Sequence, residues 1–197
     1  MLAETAETDE ERAKELLRPV SRSIKKALGD MYYTTRENET MEEAVVRLLV
    51  KNKLTVTTVE SCTGGMIASK IVNVAGASEV FNQGFVTYSN KAKRKMVGVG
   101  KNTLKKYGAV SEPTAREMAA GGAEEADAEA AVAVTGIAGP DGGTDEKPVG
   151  LVYIACCLNG DVTVEECHFH GSRTEIREQS AMEALDLLRR CILKYCG

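Results

Sequence analysis

The sequence predicts an α/β fold: three layers, α/β/α, around a mixed, largely parallel sheet. Three observations carry that prediction. From about residue 40 onward, β-branched or apolar runs alternate with segments of helical periodicity, the pattern of a sheet covered by helices on both faces. One run, Ala130–Thr135 (AAVAVT), is apolar with no polar alternation, as in a strand buried on both faces. Finally, Asn159–Asp161 (NGD) separates two strand-like runs and signals a hairpin, which makes part of the sheet antiparallel.

The elements follow in order. Residues 1–12 are acidic with almost no apolar periodicity and read as a tail or linker. Leu16, Leu17, Val20, Ile24, Ala27 and Leu28 recur at helical spacing. Pro19 places the start of the regular helix near itself, because proline suits a first turn, and Gly29 is its stop. The polar stretch 30–39 marks a domain boundary, so residues 1–39 form a helical linker or appendage and residues 40–197 the main domain. Thr40 and Glu43 make a T-x-x-E capping box for a helix to about Lys51. Leu54–Val59 reads as a strand, ESCTGG as a tight turn, and Met66–Val72 as a helix. Glu79–Ser89 reads as a strand and NKAKRKMVG as a helix. Ser111 caps a helix over Glu112–Ala126, with Pro113 in its permitted first turn. After Ala130–Thr135 comes the glycine-rich GIAGPDGGTDEKP, then strands Gly150–Cys157 and Val162–Phe169. An amphipathic helix, Arg173–Tyr195, ends the chain.

Composition narrows the function. The chain has 197 residues, with 25 Lys+Arg against 29 Asp+Glu and a net charge of −4. A pI near 5.4 argues against a protein built chiefly to bind phosphate backbones, so no nucleic-acid partner is expected. No apolar run is long enough to span a bilayer, and the charged N-terminus lacks the apolar core of a secretory signal. Six cysteines, none in a CxxC pair, read as reduced and mostly buried thiols of a cytoplasmic protein. Cys156 and Cys157 should face opposite sides of their strand.

In open α/β sheets, ligands bind beyond the carboxyl ends of the strands. Glu60–Gly65, Tyr88–Lys93 and Thr135–Thr144 all fall at such ends and converge if their strands are parallel neighbours. Ser61 follows a strand and precedes a helix, where a hydroxyl can serve as nucleophile beside amide donors or act as a plain helix cap. Gly64 and Gly65 let backbone approach a ligand. A serine needs a base. His168 and His170 share a strand face without further metal ligands in evidence, so they read as solvated and no metal is assigned. A desolvated lysine can be the base, and YSNKAKRK offers Tyr88, Lys91, Lys93, Arg94 and Lys95, which otherwise make a solvated basic helix. Arg173 near the start of the last helix suits a phosphate or a plain surface role. Gly98–Thr103 (GVGKNT) departs from a phosphate-binding P-loop at Lys95 and Asn102. Ala92 breaks the Y-x-x-x-K spacing of short-chain dehydrogenases, so nicotinamide redox chemistry is unsupported.

TVTTVESCTGG, GFVTYSNKAK, GAVSE, AVTGIAGPDGGTDEKPVG and FHGSR, in this order, resemble the C-terminal domain of the competence/damage-inducible CinA family, from about Thr40 to the end. Residues 10–33 resemble the connection that precedes this domain in full-length members, so the first 39 residues read as the end of a linker whose upstream domain is missing. The resemblance implies hydrolysis of nicotinamide mononucleotide to nicotinate mononucleotide and ammonia, without metal or organic cofactor. It implies Ser61, Tyr88 and Lys93 as catalytic residues, with Lys93, or Tyr88 relaying to it, taking the serine proton. Lys91 holds the motif's variable position and takes no role. Thr63, Gly64, Gly65, Asn90, Thr135, Gly136, Ala138, Gly139 and Arg173 are expected to bind substrate. Amides around Cys62–Gly65 are the expected oxyanion donors. A homo-oligomer is expected, through a sheet edge or the last helix. The competing readings are a catalytically silent nucleotide-binding or DNA-damage interaction module, and another small amidase or esterase.

Overall fold

The computed structural model describes residues 8–196. It divides into two compact units, Met1–Thr40 and Met41–Gly197. The first holds helix α1, Glu10–Leu28, followed by a short 3-10 turn at Gly29–Met31. Its helix starts well before Pro19. Asp9 accepts a hydrogen bond from the Arg12 amide at 2.8 Å, and Glu10 and Glu11 favour the first turn, so the helix is already established when it reaches the proline. Residues 10–12 of the expected tail are therefore helical, and residues 1–7 lie outside the described part. Gly29 ends the helix at φ 53°, as its position suggested.

The second unit holds α2 (Met41–Asn52), β1 (Val56–Glu60), α3 (Met66–Val72), β2 (Phe81–Val86), α4 (Asn90–Val97), α5 (Lys101–Tyr107), α6 (Glu112–Ala126), β3 (Ala130–Gly136), β4 (Leu151–Leu158), β5 (Asp161–His168) and α7 (Arg173–Cys196). The five strands form one mixed sheet in the order β2-β1-β3-β4-β5. β1 runs parallel to both β2 and β3, while β4 is antiparallel to β3 and β5. Four of the five strands thus point the same way, and only β4 opposes them. Helices α2, α3 and α7 cover one face, while α4, α5 and α6 cover the other.

Pleat sorts the core. Val132 and Cys156 face the α7 side, whereas Ala131, Ala133 and Cys157 face the α6 side. β3 is buried on both faces, as its unbroken apolar run predicts. Of the cysteines, Cys62, Cys156 and Cys157 are buried, Cys167 and Cys191 half-buried, and Cys196 exposed. Helix α5 is the element that the sequence reading did not find. It presents a single buried apolar residue, Leu104, among lysines and polar groups, so periodicity is silent there.

The parallel arrangement brings the ends of β2, β1 and β3 side by side. The chain leaves β1 toward β2 and leaves β3 toward β4, so the strand order reverses between β1 and β3, where such sheets bind ligands.

Candidate active site

Ser61 is the first residue beyond β1. Its amide donates to the Val134 carbonyl at 3.0 Å, which continues the β1–β3 ladder by one step and holds the serine at the sheet end. Across the other side, the Thr87 amide donates to the Glu60 carbonyl at 2.8 Å. Both neighbours of β1 therefore register the serine.

Lys93 reaches it from α4. Ser89 caps that helix, accepting from the Ala92 amide at 3.1 Å, and thereby sets which face turns inward. That face carries Lys93 and Val97. Lys93 is 1% exposed. Its Nζ donates to Ser61 Oγ at 2.8 Å and to the Thr87 carbonyl at 2.7 Å. Burial pulls its pKa from 10.5 down to about 8, with the Cys62 thiol pulling weakly the other way. An amine with a lowered pKa, hydrogen-bonded to a serine hydroxyl, can serve as the base of a nucleophile–base pair. Cys62 is no rival nucleophile, because burial pushes its thiol up to about 11.

The turn between β1 and α3 is held from two sides. Glu60, fully buried, accepts from the amides of Gly65 at 2.8 Å, Ile67 at 3.1 Å and Ala68 at 2.9 Å. It caps α3, whose own N-cap residue, Gly65, has no side chain to do so. From α7, Arg177 donates through Nε to the Cys62 carbonyl at 2.9 Å and through Nη2 to the Thr63 carbonyl at 2.8 Å. Gly64 and Gly65, at φ 60° and 99°, supply the left-handed turn between them. Thr63 is fully buried, and its hydroxyl and that of Thr87 have no hydrogen-bond partner among the described residues.

The glycine-rich loop after β3 joins the same end of the sheet. Arg173, the first residue of α7, donates to the Gly139 carbonyl at 2.6 Å and to the Tyr88 hydroxyl at 3.3 Å. Tyr88 is 65% exposed, and no hydrogen bond among the described residues joins it to Ser61 or Lys93. The contact between Lys93 and Ser61 is direct. Thr135 is buried, and its hydroxyl donates to the Ala109 carbonyl at 2.8 Å, which ties β3 to the start of α6. Gly136 and Ala138 continue from it into the loop, and Asn90 lies exposed at the start of α4.

His168 is exposed and hydrogen-bonds Glu166 at 2.9 Å. Among the described residues, no group of three or more His, Cys, Asp or Glu side chains is placed to hold a metal ion. The sequence reading did not single out two of the groups that build the turn. Arg177 belongs to no motif and binds carbonyls more than a hundred positions away. Glu60 did carry a signal, since a carboxylate closing an otherwise uncharged buried strand requires partners.

The family model for the CinA C-terminal domain matches residues 38–192. The chain belongs to the CinA C-terminal domain family. A relative from Clostridium beijerinckii is 53% identical over 189 residues, covering 96% of this chain and 46% of the relative. A CinA-like protein from Kosmotoga olearia is 51% identical over 194 residues, covering 98% of this chain and 47% of its own. This chain thus spans about half the length of the curated relatives it matches. Among solved structures, the competence/damage inducible protein CihA of Agrobacterium tumefaciens matches with TM-score 0.71 at 46% identity, covering 78% of this chain and 97% of that one. A CinA superfamily protein of Klebsiella pneumoniae matches with TM-score 0.76 at 33% identity, covering 79% of this chain and 99% of that one. No helix of this CinA domain is long and apolar enough to cross a membrane, among the described residues.

Proposed function

We propose that this CinA domain hydrolyses the carboxamide of nicotinamide mononucleotide, giving nicotinate mononucleotide and ammonia, with Ser61 as nucleophile and Lys93 as general base. The observation that carries the reading is the 2.8 Å contact between the buried Lys93 amine and the Ser61 hydroxyl.

Neutral Lys93 takes the Ser61 proton as Oγ bonds to the carboxamide carbon. The carbonyl electron pair moves onto oxygen. Amides of Cys62–Gly64 are the donors left to receive that charge, because the Gly65 amide is already held by Glu60. Collapse of the tetrahedral intermediate breaks the C–N bond, and the lysine proton leaves with ammonia. Water then attacks the acyl ester, giving its proton to Lys93, which returns it to Ser61 as the carboxylate departs. Arg173 supplies the cation for the ribose phosphate, with Thr63, Gly64, Gly65, Asn90 and Thr135–Gly139 around the rest of the nucleotide. Tyr88 braces Arg173, a positioning role consistent with their hydrogen bond.

The test is ammonia release from purified protein with nicotinamide mononucleotide, beside Ser61→Ala and Lys93→Ala. Loss of a general base lowers rate by about 10²–10⁴-fold, so Lys93→Ala should lower kcat that far. Equal release by Ser61→Ala defeats the mechanism. Release from many unrelated amides defeats the substrate assignment. Nucleotide binding without turnover by the unmutated chain favours the silent-module reading.

A further inference from the structure

Arg177 stands outside the chemistry described so far, yet it touches the turn that bears the nucleophile at two consecutive carbonyls, Cys62 and Thr63. A trans peptide unit is planar, and its C=O and N–H point in opposite directions. A carbonyl drawn toward Arg177 therefore sends the following amide away from it. With Cys62 and Thr63 carbonyls both held, the Thr63 and Gly64 amides face the side of the turn opposite the guanidinium. Two successive amides on one side, at the entrance to a left-handed glycine, are the donors from which an anion-binding concavity can be built.

The opposite strap is Glu60, whose carboxylate holds the amides of Gly65, Ile67 and Ala68. The anion of Glu60 takes the donors at the far end of the turn, and the cation of Arg177 takes acceptors at the near end. Neither strap takes the amides of Thr63 and Gly64, which lie between them; the Thr63 amide also reaches the Cys62 sulfur, while Gly64 is exposed. The fork of a guanidinium suits this work, since it can bridge two carbonyls where an ammonium delivers one point charge. Gly64 itself leaves room there: the nearest atom to a Cβ built on it is Arg177 Nη2, at 3.5 Å.

We propose that Arg177 is a positioning residue of the hydrolytic site: by holding the Cys62 and Thr63 carbonyls, it orients the Thr63 and Gly64 amides as the donors that receive the oxyanion. The inference rests on the Ser61–Lys93 reading. Arg177 makes no proton transfer and binds no part of the nucleotide in this scheme.

The experiment is steady-state kinetics with nicotinamide mononucleotide for the full chain, Arg177→Ala and Arg177→Lys, with and without added guanidinium ion, and amide hydrogen exchange over residues 61–65. Loss of an oxyanion donor costs about 10²–10³-fold in kcat. Arg177→Ala should lose about that much kcat with KM nearly unchanged, and its turn amides should exchange faster. Guanidinium should restore part of the rate, and Arg177→Lys should recover little. The pH midpoint of activity should stay where it is in the unmutated protein, because the base is untouched. Unchanged kcat in Arg177→Ala, or a raised KM with kcat intact, overturns the inference while leaving the hydrolytic reading standing. Lost activity that guanidinium fails to restore, with exchange over 61–65 unaltered, overturns it as well. An unmutated chain without turnover overturns both.

Discussion

Lys93 is the residue at which folding and chemistry are linked. Its amine sits 1% exposed, and burial lowers its pKa to about 8. Only the neutral amine can accept the Ser61 proton, so kcat/KM for the carboxamide should rise with pH and level off above about 8. A profile that is flat from pH 6.5 to 9 would remove Lys93 as base. Stability should move in the same direction. In the window between about 8 and 10.5 the unfolded lysine keeps its proton while the folded one has lost it. The unfolded state then binds more protons, so this group makes unfolding less favourable as pH rises through the window. Denaturant titrations of the unmutated protein and Lys93→Met, compared across pH 7.5–10, should show that upward trend only where Lys93 is present. Arg173 makes a second prediction at this scale. A charge-assisted hydrogen bond is worth about 1.5–3 kcal/mol, or roughly 10–100-fold. Arg173→Ala should raise KM for nicotinamide mononucleotide by that factor and leave KM for the phosphate-free riboside nearly unchanged. Equal effects on both would mean that Arg173 does not hold the phosphate. Ser61 and Lys93 were legible as residue types placed after strands. The choice of Lys93 over Lys91 came from the family motif, and Lys93 is the one of the two that lies on the inward face of the helix.

At the scale of elements, α4 delivers Lys93 to Ser61, and α6 determines how closely α4 can lie. A Cβ on Gly121 would stand 2.0 Å from the Val97 carbonyl oxygen, and one on Gly122 would stand 2.2 Å from Val59 Cγ2. Gly121 therefore lets two helices touch backbone to side-chain position, where no flexible group can yield. In a solvated helix, Gly→Ala stabilises by about 1 kcal/mol. Here Gly121→Ala should instead destabilise by about 1–3 kcal/mol, the usual cost of overpacking, as measured by urea denaturation. Because Val97 and Lys93 share one helix face, the same variant should also lower kcat. Increased stability with full activity would show that the two helices do not need this approach. Element boundaries were read well where caps or periodicity mark them, as at Met66–Val72 and Glu112–Ala126. They were misread where one residue outweighed its context. Pro19 lies inside α1 because a capped and charge-matched turn precedes it, and α5 was missed because it buries only one side chain.

For the whole molecule, topology decides what can meet. Ser61, Thr87 and Gly136 stand at the ends of three parallel neighbours, and α7 returns across the same end with Arg173 and Arg177. The three strand-end segments were legible because an alternating strand–helix order implies parallel pairing. The α7 contribution was only half legible, since the family motif includes Arg173 and nothing in the spacing marks Arg177. All of these residues belong to the unit Met41–Gly197. The solved chains from Agrobacterium tumefaciens and Klebsiella pneumoniae are covered over 97% and 99% of their lengths by matches to 78% and 79% of this chain. A truncated protein comprising residues 41–197 should therefore fold cooperatively, with one thermal transition by circular dichroism, and release ammonia with kcat within about twofold of the full chain. Helix α1 has no buried residue, so its removal strips no side chain that a core requires. A truncated protein that folds but does not turn over would assign the first unit a part in catalysis.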